Sequence, residues 1–256
     1  SQPSYSSLGP MVQYFTIDPS KEFSATIAQT FGSDELNRSF IKLQTGEYNG
    51  FSAYISRSKI DSNLWRGPGT IDREHIEAKV KWEHDNGASL TLQGVYNDFF
   101  DFDTPSISVA QYLGQANDPF GRSGRYFAYL GSVPDLPPLA TAPTVQFSNT
   151  LHNQYYLQAI NQRTDTLLAL SGELPLNDAL TLSATLYYED KEGYGVSPEA
   201  YATSLAAYNA QRNIVAGLFA PRGLQYGLST IKGYRNGGVA RASYEIANHV
   251  ISTGVW

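Results

Sequence analysis

The 256-residue chain has no cysteine and a single methionine. Without thiols, neither a disulfide framework nor a thiolate metal site is open to it. It also lacks any run approaching the roughly 18 consecutive apolar residues that a membrane-crossing helix needs, and its mean hydropathy is −0.32. Charge is sparse, at 16% of residues, and cations are in the minority: 18 Lys and Arg against 24 Asp and Glu. A net charge of −6 and a pI near 5.2 argue against nucleic acid as the main partner. Low hydropathy does not exclude the membrane, because a transmembrane barrel spreads its apolar residues over alternate positions.

What the chain does have is aromatic residues (13%, led by 18 Tyr), 22 Gly and 13 Pro, and long stretches of strict alternation. Ile76-Glu77-Ala78-Lys79-Val80-Lys81-Trp82-Glu83 alternates apolar and charged residues without a slip. The turn Asp85-Asn86-Gly87-Ala88 follows, and residues 90–97 alternate again, with Val95 the one exception. A strand sends successive side chains to opposite faces, so this segment separates an apolar medium from water. Nine such strands are expected, at 23–30, 37–46, 51–58, 75–84, 89–98, 166–174, 180–189, 239–246 and 250–256.

The connections alternate in length. Those at 47–50, 85–88, 175–179 and 247–249 are short and rich in Asn, Asp and Gly, residues that tolerate the positive φ of hairpin turns. Those at 31–36, 59–74, 99–165 and 190–238 are mostly long. In an up-and-down antiparallel meander, alternate connections lie at opposite ends of the sheet, so all the short turns fall at one end. Outer-membrane barrels sort their loops this way. Trp82, Tyr96, Tyr188 and Tyr244 fall near strand ends on the apolar face, where aromatic girdles meet headgroups. Local helix is expected at 200–213, after the start signal Ser197-Pro198-Glu199, and more weakly at 107–115. A soluble barrel or sandwich shares the periodicity but has no reason to sort its loops.

Catalytic and metal motifs are missing. His75, His84, His152 and His249 are scattered, and no His-Glu-x-x-His, phosphate loop or nucleophile elbow occurs. Gly121-Arg122-Ser123-Gly124-Arg125 is glycine-rich but does not link a strand to a helix. Asp98, Asp101 and Asp103 gather where the fifth strand meets its loop and are more readily a solvated strand end than a calcium site. Binding chemistry is better represented. Arg122, Arg125, Tyr126, Phe127 and Tyr129, with Tyr155, Tyr156 and Arg163 later in the same long connection, combine guanidinium forks with aromatic faces. Such a set suits an anionic, partly aromatic ligand such as a ferric siderophore.

Several phrases, in their order and spacing, carry a family resemblance. Residues 6–19 (Ser-Ser-Leu-Gly-Pro-Met-Val-Gln-Tyr-Phe-Thr-Ile-Asp-Pro) look like the last strand of a plug domain and its exit into a barrel. Gln29-Thr30-Phe31-Gly32-Ser33-Asp34, Leu43-Gln44-Thr45-Gly46, Trp65-Arg66-Gly67-Pro68-Gly69, Tyr187-Tyr188-Glu189-Asp190 and residues 249–256 look like barrel strands and loops of the same family. The chain thus resembles a TonB-dependent outer-membrane receptor. The resemblance implies an all-β fold, an antiparallel up-and-down meander forming about nine strands of a 22-stranded transmembrane β-barrel. Residues 1–19 would be the end of the plug and 20–256 the first part of the barrel, in an internal fragment. It implies active uptake of a bulky nutrient at the bacterial outer membrane, without covalent chemistry or a cofactor. The partners would be outer-membrane lipid, an extracellular small ligand such as a metal chelate, and TonB through a plug region this chain does not contain. A passive porin-like barrel, an adhesin or a soluble β-sheet binding protein are the alternatives.

Overall fold

The computed structural model describes residues 16–67, 69–103, 106–116, 122–128, 159–199, 201–221 and 225–256. Nine strands run β1 Phe23–Phe31, β2 Asn37–Tyr48, β3 Phe51–Asn63, β4 Thr70–Glu83, β5 Ser89–Phe102, β6 Ile160–Pro175, β7 Leu180–Glu199, β8 Gln225–Ile246 and β9 His249–Val255. They form one sheet in sequence order, each strand antiparallel to the next. A short helix α1 (Val109–Tyr112), a 3-10 turn (Gly124–Ala128) and a helix α2 (Tyr201–Gln211) lie in the connections after β5 and β7. The all-β meander expected from alternation is the observed fold.

The turns follow local chemistry. Asn49 (φ 52°) and Gly50 (φ 80°) join β2 to β3 in the doubly positive conformation that matches strand twist. A β-carbon at Gly50 would lie 2.2 Å from the Glu83 carbonyl oxygen, because the Glu83 amide donates to the Gly50 carbonyl at 2.9 Å. Between β4 and β5, Gly87 closes the turn with its amide on the His84 carbonyl at 2.9 Å. In β2 the register shifts between Gln44 and Glu47, with Gly46 at φ +71° as the bulge residue. Ser108 caps α1 in a capping box with Gln111.

The strands outrun their alternation. Instead of ending near 58, 98 and 189, β3, β5 and β7 continue to Asn63, Phe102 and Glu199, while β4, β6 and β8 begin at Thr70, Ile160 and Gln225. The connections expected at 59–74, 99–165 and 190–238 are therefore shorter than the sequence implies. Beyond the apolar stretch the split into one apolar and one polar face breaks down, with Phe99 on one face of β5 and Phe100 and Phe102 on the other, so side-chain periodicity vanishes while the backbone ladder continues. Ser197 and Glu199, expected to open a helix, lie in β7, and α2 starts at Tyr201.

Among the described residues no second layer packs on the sheet, and the only buried apolar side chains are Pro19, Tyr54, Phe127 and Ala159. The accessible surface is 17298 Å², against about 11,000 Å² for a compact protein of this mass. The apolar face, here the outer face, presents Ile55, Val80, Leu92, Leu170, Leu182 and Leu186 at 38–61% exposure. On β4 to β8 this outer apolar stretch is seven to nine residues long, Ile76 to Trp82 on β4 and Leu180 to Tyr188 on β7, close to the apolar band of a membrane barrel. Aromatic rings mark its limits. Phe51 and Trp82 meet at 6.4 Å by the short turns, and Tyr188 stacks on Tyr234 at 6.3 Å on the far side. Past that second row the outer face turns ionic: Arg57 pairs with Glu74 at 2.5 Å, Lys59 with Asp72, and Lys232 with Glu192 at 2.8 Å.

Candidate functional site

The polar face of β2 to β5 is an occupied surface. Residues 16–20, which lead into β1, lie on it and make it the inner face. The Lys79 ammonium, 5% exposed, donates to the carbonyls of Thr16 (3.2 Å) and Ile17 (2.8 Å) and lies 3.5 Å from the Asp18 carboxylate. Lys81 donates to Asp18 at 2.7 Å and also pairs with Glu83 at 2.9 Å. The Thr16 hydroxyl reaches the Gln93 side-chain carbonyl at 3.2 Å, and the Ser20 amide donates to that of Gln44 at 2.9 Å. Pro19 between them is buried. Strict alternation produces this surface: Lys79, Lys81 and Gln93 fall on one face because they are two residues apart or paired across the ladder.

The charges have local causes. The Lys81 hydrogen bond holds the Asp18 carboxyl below its ordinary value; partial burial opposes it, and the charges of Lys81 and Lys79 reinforce it. Beside the clamp, Lys42 sits 4.0 Å over the Tyr54 ring, and the Tyr54 hydroxyl donates to Glu77. A lysine as buried as Lys79 needs its donors satisfied, and two backbone carbonyls and a carboxylate do that here. The arrangement fixes a segment of chain. It contains no nucleophile–base pair.

The sequence-derived ligand residues divide. Arg122 lies 4.7 Å over the ring of Phe127, itself 3% exposed, and Arg125 lies 5.7 Å over the ring of Trp65. Arg125 also lines a cavity of about 340 Å³ with Asp34, Asn63 and Trp65, where the β1–β2 turn meets the β3–β4 connection. Tyr126 falls in the 3-10 turn Gly124–Ala128. Tyr129, Tyr155 and Tyr156 lie outside the described residues. Arg163, expected in the long loop, is instead in β6 on the inner face, where its Nε donates to Asp165 at 2.8 Å. The carboxylates of Asp98 and Asp101 are split by β5 onto opposite faces, and Asp98 accepts from Thr164 at 3.1 Å. Among the described residues no group of three metal-ligating side chains forms. The alternation in the sequence puts Lys79 and Lys81 on the polar face, but does not show them as the holder of residues 16–20. The only local signal was Asp18-Pro19 just before the first strand.

No protein-family model matches the chain, and no curated protein does. Solved structures do. The ferric-catecholate import receptor Fiu of E. coli K12 matches in its open form over 93% of this chain, at TM-score 0.58 and 11% identity. Its closed form matches over 92% of this chain, at 0.52 and 10%. The siderophore receptor PiuA of Acinetobacter baumannii matches over 92% of this chain, at 0.50 and 12%. The chain spans about a third of those receptors, 34%, 31% and 32% of their length. At such identity the likeness is one of architecture: the nine antiparallel strands have the fold of part of those receptors.

Proposed function

We propose that the chain is the first part of the transmembrane barrel of an outer-membrane, TonB-dependent receptor, and that it takes part in active import of a bulky chelate such as a ferric siderophore. One observation carries the reading: among the described residues a single sheet leaves its apolar face without a partner while its polar face grips the segment that precedes it. Hydrocarbon is the medium that accepts such a face with every ladder hydrogen bond satisfied. Residues 1–19 are then the end of a plug, and the long-strand end of the sheet faces outward toward the ligand. The protein performs no covalent chemistry; it captures a ligand and releases it inward when coupling to TonB moves the plug.

Uptake of a radiolabelled ferric chelate by iron-starved cells tests this, comparing the intact gene, its deletion and a strain lacking TonB. Import that needs both gene and TonB supports the reading. Import that survives loss of TonB points to the passive, porin-like alternative. Unchanged uptake of every chelate after deletion refutes a transport role.

A further inference from the structure

Past the second aromatic row, the outer face of β6, β7 and β8 holds a groove of about 790 Å³. Strand pairing sets its rows. Thr166 pairs with Asp190 nearest the apolar stretch, next to Tyr234 on β8; Thr164 pairs with Glu192, and Glu192 with Lys232; Gln162 pairs with Tyr194, and Tyr194 with Thr230. These side chains share the outer face with Leu168, Leu186 and Tyr188, because each lies an even number of residues from the apolar positions of its own strand. Six residue steps separate Tyr188 from Tyr194, about 20 Å along the strand and about 15 Å of depth at a 35–45° tilt. The groove therefore stands directly above the hydrocarbon level, on the side of the long connections.

Its depth and its chemistry select the occupant. A phospholipid headgroup layer is only about 5–8 Å thick, enough to reach Asp190 but not Tyr194. A headgroup that fills the groove extends further from the acyl chains. It is not an anion: among the described residues Lys232 is the one cation in the lining, and it is spent on Glu192 at 2.8 Å. Asp190 makes no ion pair or side-chain hydrogen bond among those residues. A carboxylate only accepts hydrogen bonds, and those from hydroxyl donors are charge-assisted. Tyr194, 39% exposed, adds a ring against which a flat apolar surface packs. Hydroxyl donors on a ring with an apolar face are the chemistry of a saccharide.

We infer that this groove binds the saccharide headgroup of a glycolipid in the outward leaflet, through hydroxyl donation to Asp190 and Glu192 and packing on Tyr194. The inference rests on the reading that the outer face meets lipid, and it assigns a ligand on the face opposite the one that takes the imported nutrient. The groove is continuous with the apolar stretch: Leu168 and Leu186 lie below it at 49% and 61% exposure. Acyl chains on those leucines hold the headgroup above them in the groove, which a free sugar lacks the means to do.

The experiment uses the full-length protein that contains this chain, purified in detergent and stripped of lipid. Heat-modifiable gel mobility checks that every variant is folded. Native mass spectrometry reads what stays bound from three probes: a lipooligosaccharide, its deacylated saccharide, and phosphatidylglycerol. The wild type should retain the lipooligosaccharide where the other two leave no adduct, and retention should survive a chelator. Asp190→Ala and Tyr194→Ala should each weaken retention on the order of tenfold, whereas Lys232→Gln should not. Undiminished retention in the folded Asp190→Ala/Tyr194→Ala variant overturns the groove. So does loss with Lys232→Gln, the mark of phosphate recognition, or loss on chelation, the mark of a bridging metal. Equal retention of phosphatidylglycerol or of the free saccharide overturns the glycolipid assignment. None of these results touches import, which is read in cells; a full-length protein that stays monodisperse without detergent would instead strike at the membrane reading.

Discussion

Placing an arginine at successive outer positions of β7 should cost an amount that rises and falls with depth. Leu180, Leu182, Ala184, Leu186 and Tyr188 share the outer face. They span eight residue steps, about 27 Å along the strand, or about 20 Å of bilayer depth at the 35–45° tilt of such barrels. Ala184 is the midpoint, flanked by Gly172 on β6 and Ala240 on β8, so a long side chain meets no steric barrier there. Its replacement by arginine should cost about 2–4 kcal/mol, and Leu182→Arg nearly as much. Leu180→Arg, opposite the girdle residue Tyr244, should cost about 0–1 kcal/mol. The inner neighbour supplies the control. Ser183 sits between Glu173 and Arg241, and Ser183→Arg gains one ion-pair partner and one repulsion, each within about 1 kcal/mol. Urea unfolding of the full-length protein from lipid vesicles, followed by far-ultraviolet circular dichroism, measures each value. A flat profile along β7, or equal cost for Ala184→Arg and Ser183→Arg, would refute a lipid-facing outer surface.

Three further outcomes follow from the inner face and the bulge. Lys79→Met leaves the Thr16 and Ile17 carbonyls without their donor, about 1–3 kcal/mol each, so limited proteolysis of the folded protein should cut sooner near residues 16–20; an unchanged cleavage rate would remove the clamp from the argument. Acid should loosen the same contact: the carboxyl of Asp18 is held below its ordinary 3.8 chiefly by the Lys81 hydrogen bond, so its contribution is complete above that pH and lost as pH falls through the lower folded value, which protease accessibility across pH 5 to about 2 would reveal. Gly46→Ala combines φ +71° with a β-carbon 2.8 Å from the Phe23 amide nitrogen and should cost about 1–3 kcal/mol. Gly217→Ala, at φ +79° in open space, should cost clearly less, and equal urea midpoints for the two would count against the close approach at the bulge.

Much of this architecture was written in local chemistry. The alternation from Ile76 to Trp82 dictated which side chains share a face, and Val80 and Leu92 do stand exposed at 44% and 53% while Lys79 is shielded. Asn49-Gly50 and Gly87 announced their hairpins, because few other residues adopt the φ those turns require. Element order followed, since short turns leave antiparallel neighbours no other arrangement. Strand ends past the apolar stretch were not legible: Gly193, Gly195, Gly233 and Gly237 read as loop, yet they lie in β7 and β8, where backbone pairing alone holds them.

The sequence by itself therefore determined the faces, the turns and the meander, all of which depend on residues within one strand or one hairpin. The tertiary structure alone decided that Asp18 meets Lys81, 63 residues away, and that Thr166, Asp190 and Tyr234 stand side by side on the outer face. Those juxtapositions depend on the register between strands far apart in the chain. A strand's own pattern says which face a side chain takes, but not which residue of another strand will stand beside it.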